Sequence, residues 1–471
     1  MRAATDPSTR AAQAQRRRAG AGPGVAAAAR RALERVAGGR LVPLPVTLSF
    51  WDGSRLPGAT PAAPEVIVRS PAAVAHVLHR PSELGLARAW VTGALDVDGD
   101  PGAVLAVRHA FDGVHLSRAD RARLALAAVR VAGAGVLRQP RVPDVEARAQ
   151  GRRHSLARDR ASIRHHYDVS NRFYELLLGP TMVYSCAYFA DPEEGLDVAQ
   201  ERKLERICRK LRLAPGERFL DIGCGWGSLL LQAAARHGVH GVGVTLSDAQ
   251  ARYARERIRR AGLADRVEVR VADYRELRDG PFDKIASVGM YEHVGRGELD
   301  RYVASVGSLL RPGGLFLNHG IARLHSDPPA PDTFIARYVF PDGELHPVSD
   351  VMASMRDAGL EVRDVESLRE HYVLTLRRWA ANLAAHRGEA IAEVGEARER
   401  VWRLYMPGAA QAFADGEITV YQVLAARRDA PHDLPLTRGD LLAGPPAHVA
   451  GRAHDAHHAG RDRRGPNPRR S

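Results

Sequence analysis

The stretch from Glu217 to Gln250, ERFLDIGCGWGSLLLQAAARHGVHGVGVTLSDAQ, constrains this chain more than any other. Phe219 to Ile222 is a short, mostly apolar run containing Asp221, glycines follow at 223, 225 and 227, and an apolar helical pattern runs from Leu229 to Ala235. That order reads as strand, glycine turn and helix. Glycines let the backbone turn tightly and approach a ligand, and a helix start offers unpaired N–H groups. A second apolar run, Gly241 to Leu246, completes a βαβ unit whose ligand would lie beyond the carboxyl ends of the strands. The same glycines would also serve a turn that only packs helix on strand. Their spacing does not match GxxxxGK[ST], which argues against a triphosphate site.

Strands and helices continue to alternate. A helix is predicted over Asp248–Ala261, then a strand over Val267–Val271 followed by Asp273 and Tyr274. The strand Phe282–Val288 delivers Met290, Tyr291, Glu292 and His293 at its carboxyl end, and after a helix at Leu299–Leu310 the strand Leu315–Asn318 runs into His319. Such alternation predicts an α/β doubly wound sheet with Glu292 and His319 on its ligand side. Helices follow at Val348–Ala358, Leu368–His386 and Val401–Phe413, with strands at Leu360–Val365 and Ile418–Ala425. Tyr372, Leu376, Trp379 and Leu383 share one face of the second helix, a stripe that suits either core packing or a membrane surface. Ahead of the sheet, Ile163–Phe189 is dense in aromatic and small polar residues, which fits a site wall or a packed aromatic cluster.

The amino-terminal third carries no catalytic constellation. Residues 1–40 read as a disordered basic tail with one short amphipathic helix at Val25–Val36, and residues 41–138 as a small α+β domain. In that domain Leu86–Val97 and Ala103–Phe111 are predicted core helices. A linker is placed at 139–160, the main domain at 161–428 and a disordered tail at 429–471. Residues 1–40 hold nine Arg against Asp6 and Glu34, and 451–471 hold six Arg against Asp455 and Asp462, so the two ends supply +11 of the net +13. Cationic tails suit an anionic surface, and a solvated tail would look the same. Cys186, Cys208 and Cys224 are too scattered for a disulfide framework or a zinc cluster. With no apolar run of about 18 residues, the expectation is a cytoplasmic protein, peripheral at the inner face of the membrane.

The motifs HYDVSN, MVYSCAYF, LDIGCGWGS, GVTLS, GMYEHVG, FPDGELH and ITVYQVL, spread over Ile163–Ala425, together resemble the cyclopropane-fatty-acyl-phospholipid synthases and mycolic acid cyclopropane synthases. These are methyltransferases that use S-adenosylmethionine (SAM), and the resemblance implies a Rossmann-like class I methyltransferase fold. It implies a SAM site made of Tyr184 and Ser185, the loop with Asp221, Gly223, Cys224, Gly225 and Gly227, the segment with Thr245, Leu246 and Gln250, and the pair Tyr274–Arg275. Tyr274–Arg275 departs from the Trp-Glu type of pair common in the family. It also implies a bicarbonate ion as catalytic base, held by Cys186, Glu292, His319, the backbone of Ile321, and Tyr372. Where many relatives carry a cysteine in the carboxyl-terminal helical region, this chain has Ala409, and no cysteine lies beyond Cys224.

The implied reaction is SAM-dependent alkylation of the double bond of an unsaturated acyl chain in a membrane phospholipid, closing a cyclopropane. A methylene-branched product would arise from the same cation, and a homodimer is compatible with the family. A nucleic-acid methyltransferase recruited by the Arg-rich tails is a competing class. Amino-methylating enzymes, however, place an Asn/Asp-Pro-Pro-aromatic motif where this chain has Met290–His293, so no nucleic acid is expected. A lipid-binding protein without activity is disfavoured by the full set of loop and anion-site residues.

Overall fold

The computed structural model describes residues 24–36, 43–108, 117–147, 151–155, 158–159, 162, 166–167, 169–324 and 333–442. Two sheets are present among them. The smaller joins β1 (Thr47–Phe50), β2 (Arg55–Leu56), β3 (Glu65–Val68) and β4 (Leu95–Asp98) in the order β2-β1-β3-β4. The larger contains β5 (Arg218–Ile222), β6 (His240–Thr245), β7 (Val267–Val271), β8 (Phe282–Val288), β9 (Leu310–Arg323), β10 (Leu360–Ser367) and β11 (Ile418–Arg427), in the order β10-β11-β9-β8-β5-β6-β7. β11 runs antiparallel to both its neighbours, and the β9-β8-β5-β6-β7 pairings are parallel. This is the doubly wound α/β fold expected from the alternation of strands and helices.

Helices cover both faces, so the central strands are mostly buried, and their few polar residues, such as Asp221 and Lys284, are buried with them. Successive side chains of β5 point to opposite faces. Phe219 packs with Leu230, Ala233 and Ala234, on one side, while Leu220 and Ile222 pack with Tyr302, Val303 and Val306 on the other. β10, at the edge, alternates between covered and exposed positions along its length. A third cluster is rich in aromatic residues. It joins the helices Asn171–Leu178, Arg369–Ala385 and Glu396–Ala414 to Trp90 from the amino-terminal region.

Several expectations change. The stripe Tyr372, Leu376, Trp379 and Leu383 is buried in that cluster, so it is core and presents no face to a membrane. Leu86–Val97 is not one helix: the helix spans Glu83–Val91, turns at Thr92–Gly93, and continues as β4, paired with β3 from Val68↔Leu95 to Glu65↔Asp98. Local helix propensity there yields to strand pairing. The helix Val25–Val36 is as predicted, and it docks rather than floats: Ala26 and Ala32 are buried and the first-turn N–H groups of Val25 and Ala26 donate to Asp52 and Ser54. Of residues 429–442, expected to be disordered, the turn Gly439–Leu442 packs against the helix Leu196–Lys210 with Leu441 buried, and Arg438 pairs with Asp364 of β10. The rest of that tail lies outside the described residues, as do 1–23.

One buried arginine ties the two sheets' layers together. Arg400 is 2% exposed; its Nε donates to Trp90 O at 2.5 Å and its guanidinium reaches Leu95 O and Asp96, while Trp90 Nε1 donates back to Arg400 O at 2.7 Å. Burial alone would raise the Asp96 carboxyl, but Arg400, a backbone N–H, Arg69 and Arg403 outweigh it and hold the group well below the usual carboxylate range. Arg400→Ala leaves two carbonyls and part of a buried carboxylate uncompensated, so it should lower stability by roughly 3 to 5 kcal/mol. Urea unfolding of the full chain checks this; a midpoint unchanged from the parent would contradict it. The depressed Asp96 adds a sign: its contribution is complete above the unfolded carboxylate pKa and is lost as pH falls below it.

Candidate active site

The turn after β5 is fixed to β6, since Gly223 N and Cys224 N both donate to Val244 O, at 2.9 and 3.0 Å. Gly225 has a left-handed φ of +53°, and a Cβ built there would meet no atom within 4 Å, which leaves open space where the backbone borders the cleft. That cleft, about 1260 Å³ with its open mouth included, lies at the carboxyl ends of β5, β6 and β8. Its walls contain Tyr184, Ser185, Asp221, Gly223, Cys224, Gly225, Thr245, Leu246, Gln250, Tyr274 and Arg275. Gly227 sits behind the wall as the cap of the helix Ser228–His237. Arg275 is already engaged, with Asp273 at 2.7 Å and Asp159 at 2.9 Å, so its charge is neutralised by the protein.

Among the cleft residues that the sequence did not assign to the site are His154, Asp159, Lys203 and Glu298. His154 and Asp159 come from the segment read as a linker, which is fastened by Arg158–Asp342 at 2.5 Å. Lys203 lies on the helix Leu196–Lys210, which is rich in charged residues. Its signal is positional: Lys203, Leu204 and Ile207 fall on the apolar stripe of that helix, not on its solvent face.

Behind the cleft lies a buried polar cluster. β9 carries His319 and Ile321 on one face, with Gly320 between them on the other. The ring of Tyr291 rests on Gly320 so closely that a Cβ there would meet it at 1.8 Å, and its hydroxyl donates to Ile321 O at 2.6 Å. This contact sets the one-turn segment Tyr291–His293, from which Glu292 reaches β9: Glu292 Oε1 accepts the Ile321 N–H at 2.8 Å. The segment FPDGELH supports the same turn, through Glu344 N to Glu292 O at 2.9 Å and His346 Nε2 against Val294 O at 2.8 Å.

His319 faces Gln422 across the β9–β11 ladder, and the amide nitrogen of Gln422 meets His319 Nδ1 at 3.1 Å. An amide nitrogen only donates, so Nδ1 accepts and the neutral ring carries its proton on Nε2. Both His319 Nε2 and Glu292 Oε2 are buried without a protein partner, one a donor and the other an acceptor. Burial pushes Glu292 up to about 7, against the pull of the Ile321 N–H, and holds His319 well below its ordinary value, helped by the charges of Lys203 and Lys210. Tyr372 is buried and lies within electrostatic reach of Cys186 and Glu292. Two departures from the implied roles appear: the Ile321 N–H is directed at Glu292, and Cys186 is a neutral thiol, raised by burial and hydrogen-bonded to Ala187 O at 3.2 Å.

Aromatic rings pack around Tyr184, which lines the cleft. Tyr184 stacks on His166 at 5.6 Å and meets Trp379 at 5.2 Å and Trp402 at 6.0 Å, and Phe340 packs on His166 at 4.2 Å. Such rings stabilise a cation through their faces and shed water around it. Among the described residues no group of histidine, cysteine and carboxylate side chains could hold a metal ion, and no helix is long and apolar enough to cross a membrane.

The mycolic acid cyclopropane synthetase family model matches residues 154–423. A probable fatty acid methyltransferase of Pseudomonas putida is 40% identical over 84% of this chain and 96% of its own length. A tuberculostearic acid methyltransferase of Mycobacterium tuberculosis is 33% identical over 86% of this chain and 92% of its own. The crystal structure of mycolic acid cyclopropane synthase CmaA1 complexed with SAH and CTAB superposes with a TM-score of 0.54 at 34% identity, covering 57% of this chain and 98% of that one. A glycine turn bordering an aromatic-walled cleft, a reversed β11 and these likenesses lead to one statement: the chain belongs to the mycolic acid cyclopropane synthetase family and is a SAM-dependent methyltransferase.

Proposed function

We propose that the chain alkylates the carbon–carbon double bond of an unsaturated acyl chain of a membrane phospholipid, with SAM as donor. The observation that carries this is the pair of unpartnered buried atoms, Glu292 Oε2 and His319 Nε2, behind the aromatic-walled cleft. An alkene is a weak nucleophile, and its alkylation leaves a carbocation that must lose a proton. The aromatic walls, Tyr184 foremost, favour cationic character at the donor sulfonium by about 0.5 to 2 kcal/mol. One free donor and one free acceptor, in a dry region, fit a bicarbonate ion, which when bound supplies the base for that proton. Glu292 accepts from the ion, His319 donates to it, and Gln422 fixes the His319 tautomer that makes this donation available. Tyr372, also buried, offers a second donor on the same side. The chain has no cysteine beyond Cys224, so no thiol from the carboxyl-terminal helix takes part.

The cyclopropane closes if the proton leaves the added carbon, and a methylene branch forms if it leaves the acyl chain. A specific observation favours the second outcome: the relatives that align over 84 to 86% of the chain are named for fatty acid and tuberculostearic acid methyl transfer. Gas chromatography with mass spectrometry of lipids from expressing cells decides. A new acyl species one CH₂ heavier, cyclopropane or methylene-branched, is expected in the phospholipid fraction; an unchanged profile with active protein present would reject an acyl double bond as substrate.

Glu292→Gln and His319→Ala should each lower turnover by roughly 10² to 10⁴-fold with SAM affinity preserved. Because burial raises Glu292 to about 7 and its ionised form is the acceptor, parent activity should climb as pH rises through about 7 and level off above. That limb should vanish in Glu292→Gln. A limb that persists there would assign the titration to another group. The stability sign is opposite: a raised carboxyl favours the fold below its unfolded pKa, and the benefit is lost as pH rises through about 7.

Access to a bilayer acyl chain requires docking, which we assign to the domain 41–138 together with the Arg-rich tails. Each Arg near an anionic surface adds roughly 1 kcal/mol, screened by salt. Vesicle sedimentation of the full chain against one lacking residues 1–23 and 443–471 measures this. Salt-sensitive loss of binding to anionic vesicles is expected on truncation; equal, salt-insensitive binding by both chains would remove the tails from docking.

A further inference from the structure

Lys203, Lys210 and Lys284, the chain's only lysines, are each 1% exposed. Lys210 has Glu366 beside it at 2.6 Å, Lys284 has Glu217 at 3.6 Å, and the buried Arg400 has Asp96 at 3.3 Å. Arg257, half-buried on the helix Asp248–Arg260, has no carboxylate within ion-pair distance among the described residues. Burial draws its guanidinium below the usual range, and only Tyr253 opposes that shift. A guanidinium taken from water and directed wholly at neutral oxygens is costly, and what it offers in return is a rigid planar fork that can hold several groups at once.

The oxygens it holds come from two separate segments. Arg257 Nη1 donates to Trp226 O at 3.1 Å and to Ser228 Oγ at 2.8 Å, and Nη2 donates to Thr181 O at 3.4 Å. Ser228 Oγ in turn donates to Thr181 O at 2.7 Å. Trp226 and Ser228 belong to the glycine turn after β5, whereas Thr181 begins the segment that runs through Met182 and Val183 to Tyr184. Met182, Val183, Tyr184, Trp226 and Ser228 line the cofactor cleft, and Arg257 stands behind them, outside the lining. Its helix is seated on the same turn: a Cβ on Gly227 would meet Ala254 Cβ at 3.1 Å, and Arg257 follows Ala254 by three residues, on the same face. Met182 holds a left-handed φ of +51°, a conformation that a residue with a side chain adopts only when its surroundings impose it.

We propose that Arg257 is a positioning residue for methyl transfer: its fork ties the glycine turn to the Thr181–Tyr184 segment and so sets the distance between the cofactor-binding backbone and the Tyr184 ring. The proposal rests on the placement of the SAM sulfonium against Tyr184 given under the proposed function. Arg257 itself touches no reacting group. With the tie released, the adenosine and amino-acid ends of the cofactor keep their contacts, and the loss falls on the contact between ring and sulfonium.

S-Adenosylhomocysteine (SAH) shares both of those ends with SAM and lacks the methyl group and the sulfonium charge, so the ratio of the two affinities reads the placement of the ring. The full chain, Arg257→Lys, Arg257→Met and Tyr184→Leu are titrated calorimetrically with SAM and with SAH, and kcat is measured at saturating SAM. Arg257→Lys keeps the charge and replaces the fork by a point donor. In both Arg257 variants the SAM-to-SAH affinity ratio should fall by roughly 2- to 30-fold, the span of a lost cation–π contact, with kcat falling and SAH affinity close to the parent's. Equal weakening of SAM and SAH with a lower melting temperature overturns the proposal, by making Arg257 a prop of the fold. A parental ratio in Arg257→Lys together with a lowered one in Arg257→Met overturns it in favour of charge alone. A parental ratio in both Arg257 variants, with a lowered one in Tyr184→Leu, overturns the positioning role and leaves the sulfonium against Tyr184. A parental ratio in Tyr184→Leu overturns that placement, and the proposal with it.

Discussion

The site depends on the placement of β9 between a parallel neighbour and an antiparallel one. Its pairing with β8 puts His319 opposite Val288, next to the chain reversal that carries Glu292, and its pairing with β11 puts His319 opposite Gln422. A shift of one residue in either ladder would turn His319 and Ile321 to the other face of the sheet. The Tyr291 ring against Gly320 opposes such a slip, because only a residue without a side chain admits the ring at that distance. Sheet register, glycine and aromatic ring thus fix the turn that carries the carboxylate against the strand that carries the imidazole.

The cleft and the buried cluster share one electrostatic character. Both remove ionisable groups from water and leave them partly unsatisfied, a state that costs native stability and is kept where a ligand completes it. Asp221 and Glu292 are both pushed up to about 7 by burial. Lys203 lies between these regions, lining the cleft and acting on His319. Cofactor and anion sites are in this sense neighbours through one ammonium.

Much of this was legible in the sequence, and the gaps have physical causes. The β5–glycine turn–β6 unit and the approach of Glu292 to His319 follow from local periodicity and from the rule that ligands gather at strand carboxyl ends. Gln422 was not legible, since its partnership with His319 exists only through a ladder between residues 103 apart. Lys203 was missed because a basic residue on a charged helix is ordinarily solvated, and only its phase with Leu204 and Ile207 marks it as interior. Leu86–Val97 failed as a helix because its second half pairs with β3, about thirty residues earlier, to complete the small sheet. The stripe of Tyr372 was ambiguous in sequence because core and membrane faces share one pattern, and the aromatic cluster resolves it.

The burial of every lysine has a practical consequence for handling the protein. Amine-directed reagents, whether dyes, crosslinkers or immobilisation chemistries, find no side-chain amine at the surface of the native fold, because Lys203, Lys210 and Lys284 are each 1% exposed. Reaction at these positions requires local or global opening, so the extent of lysine side-chain modification reads out unfolding directly. The three report on different parts of the molecule: Lys203 on the cofactor cleft, Lys210 on the ion pairs that join the helix Leu196–Lys210 to β10, and Lys284 on the middle of the parallel sheet.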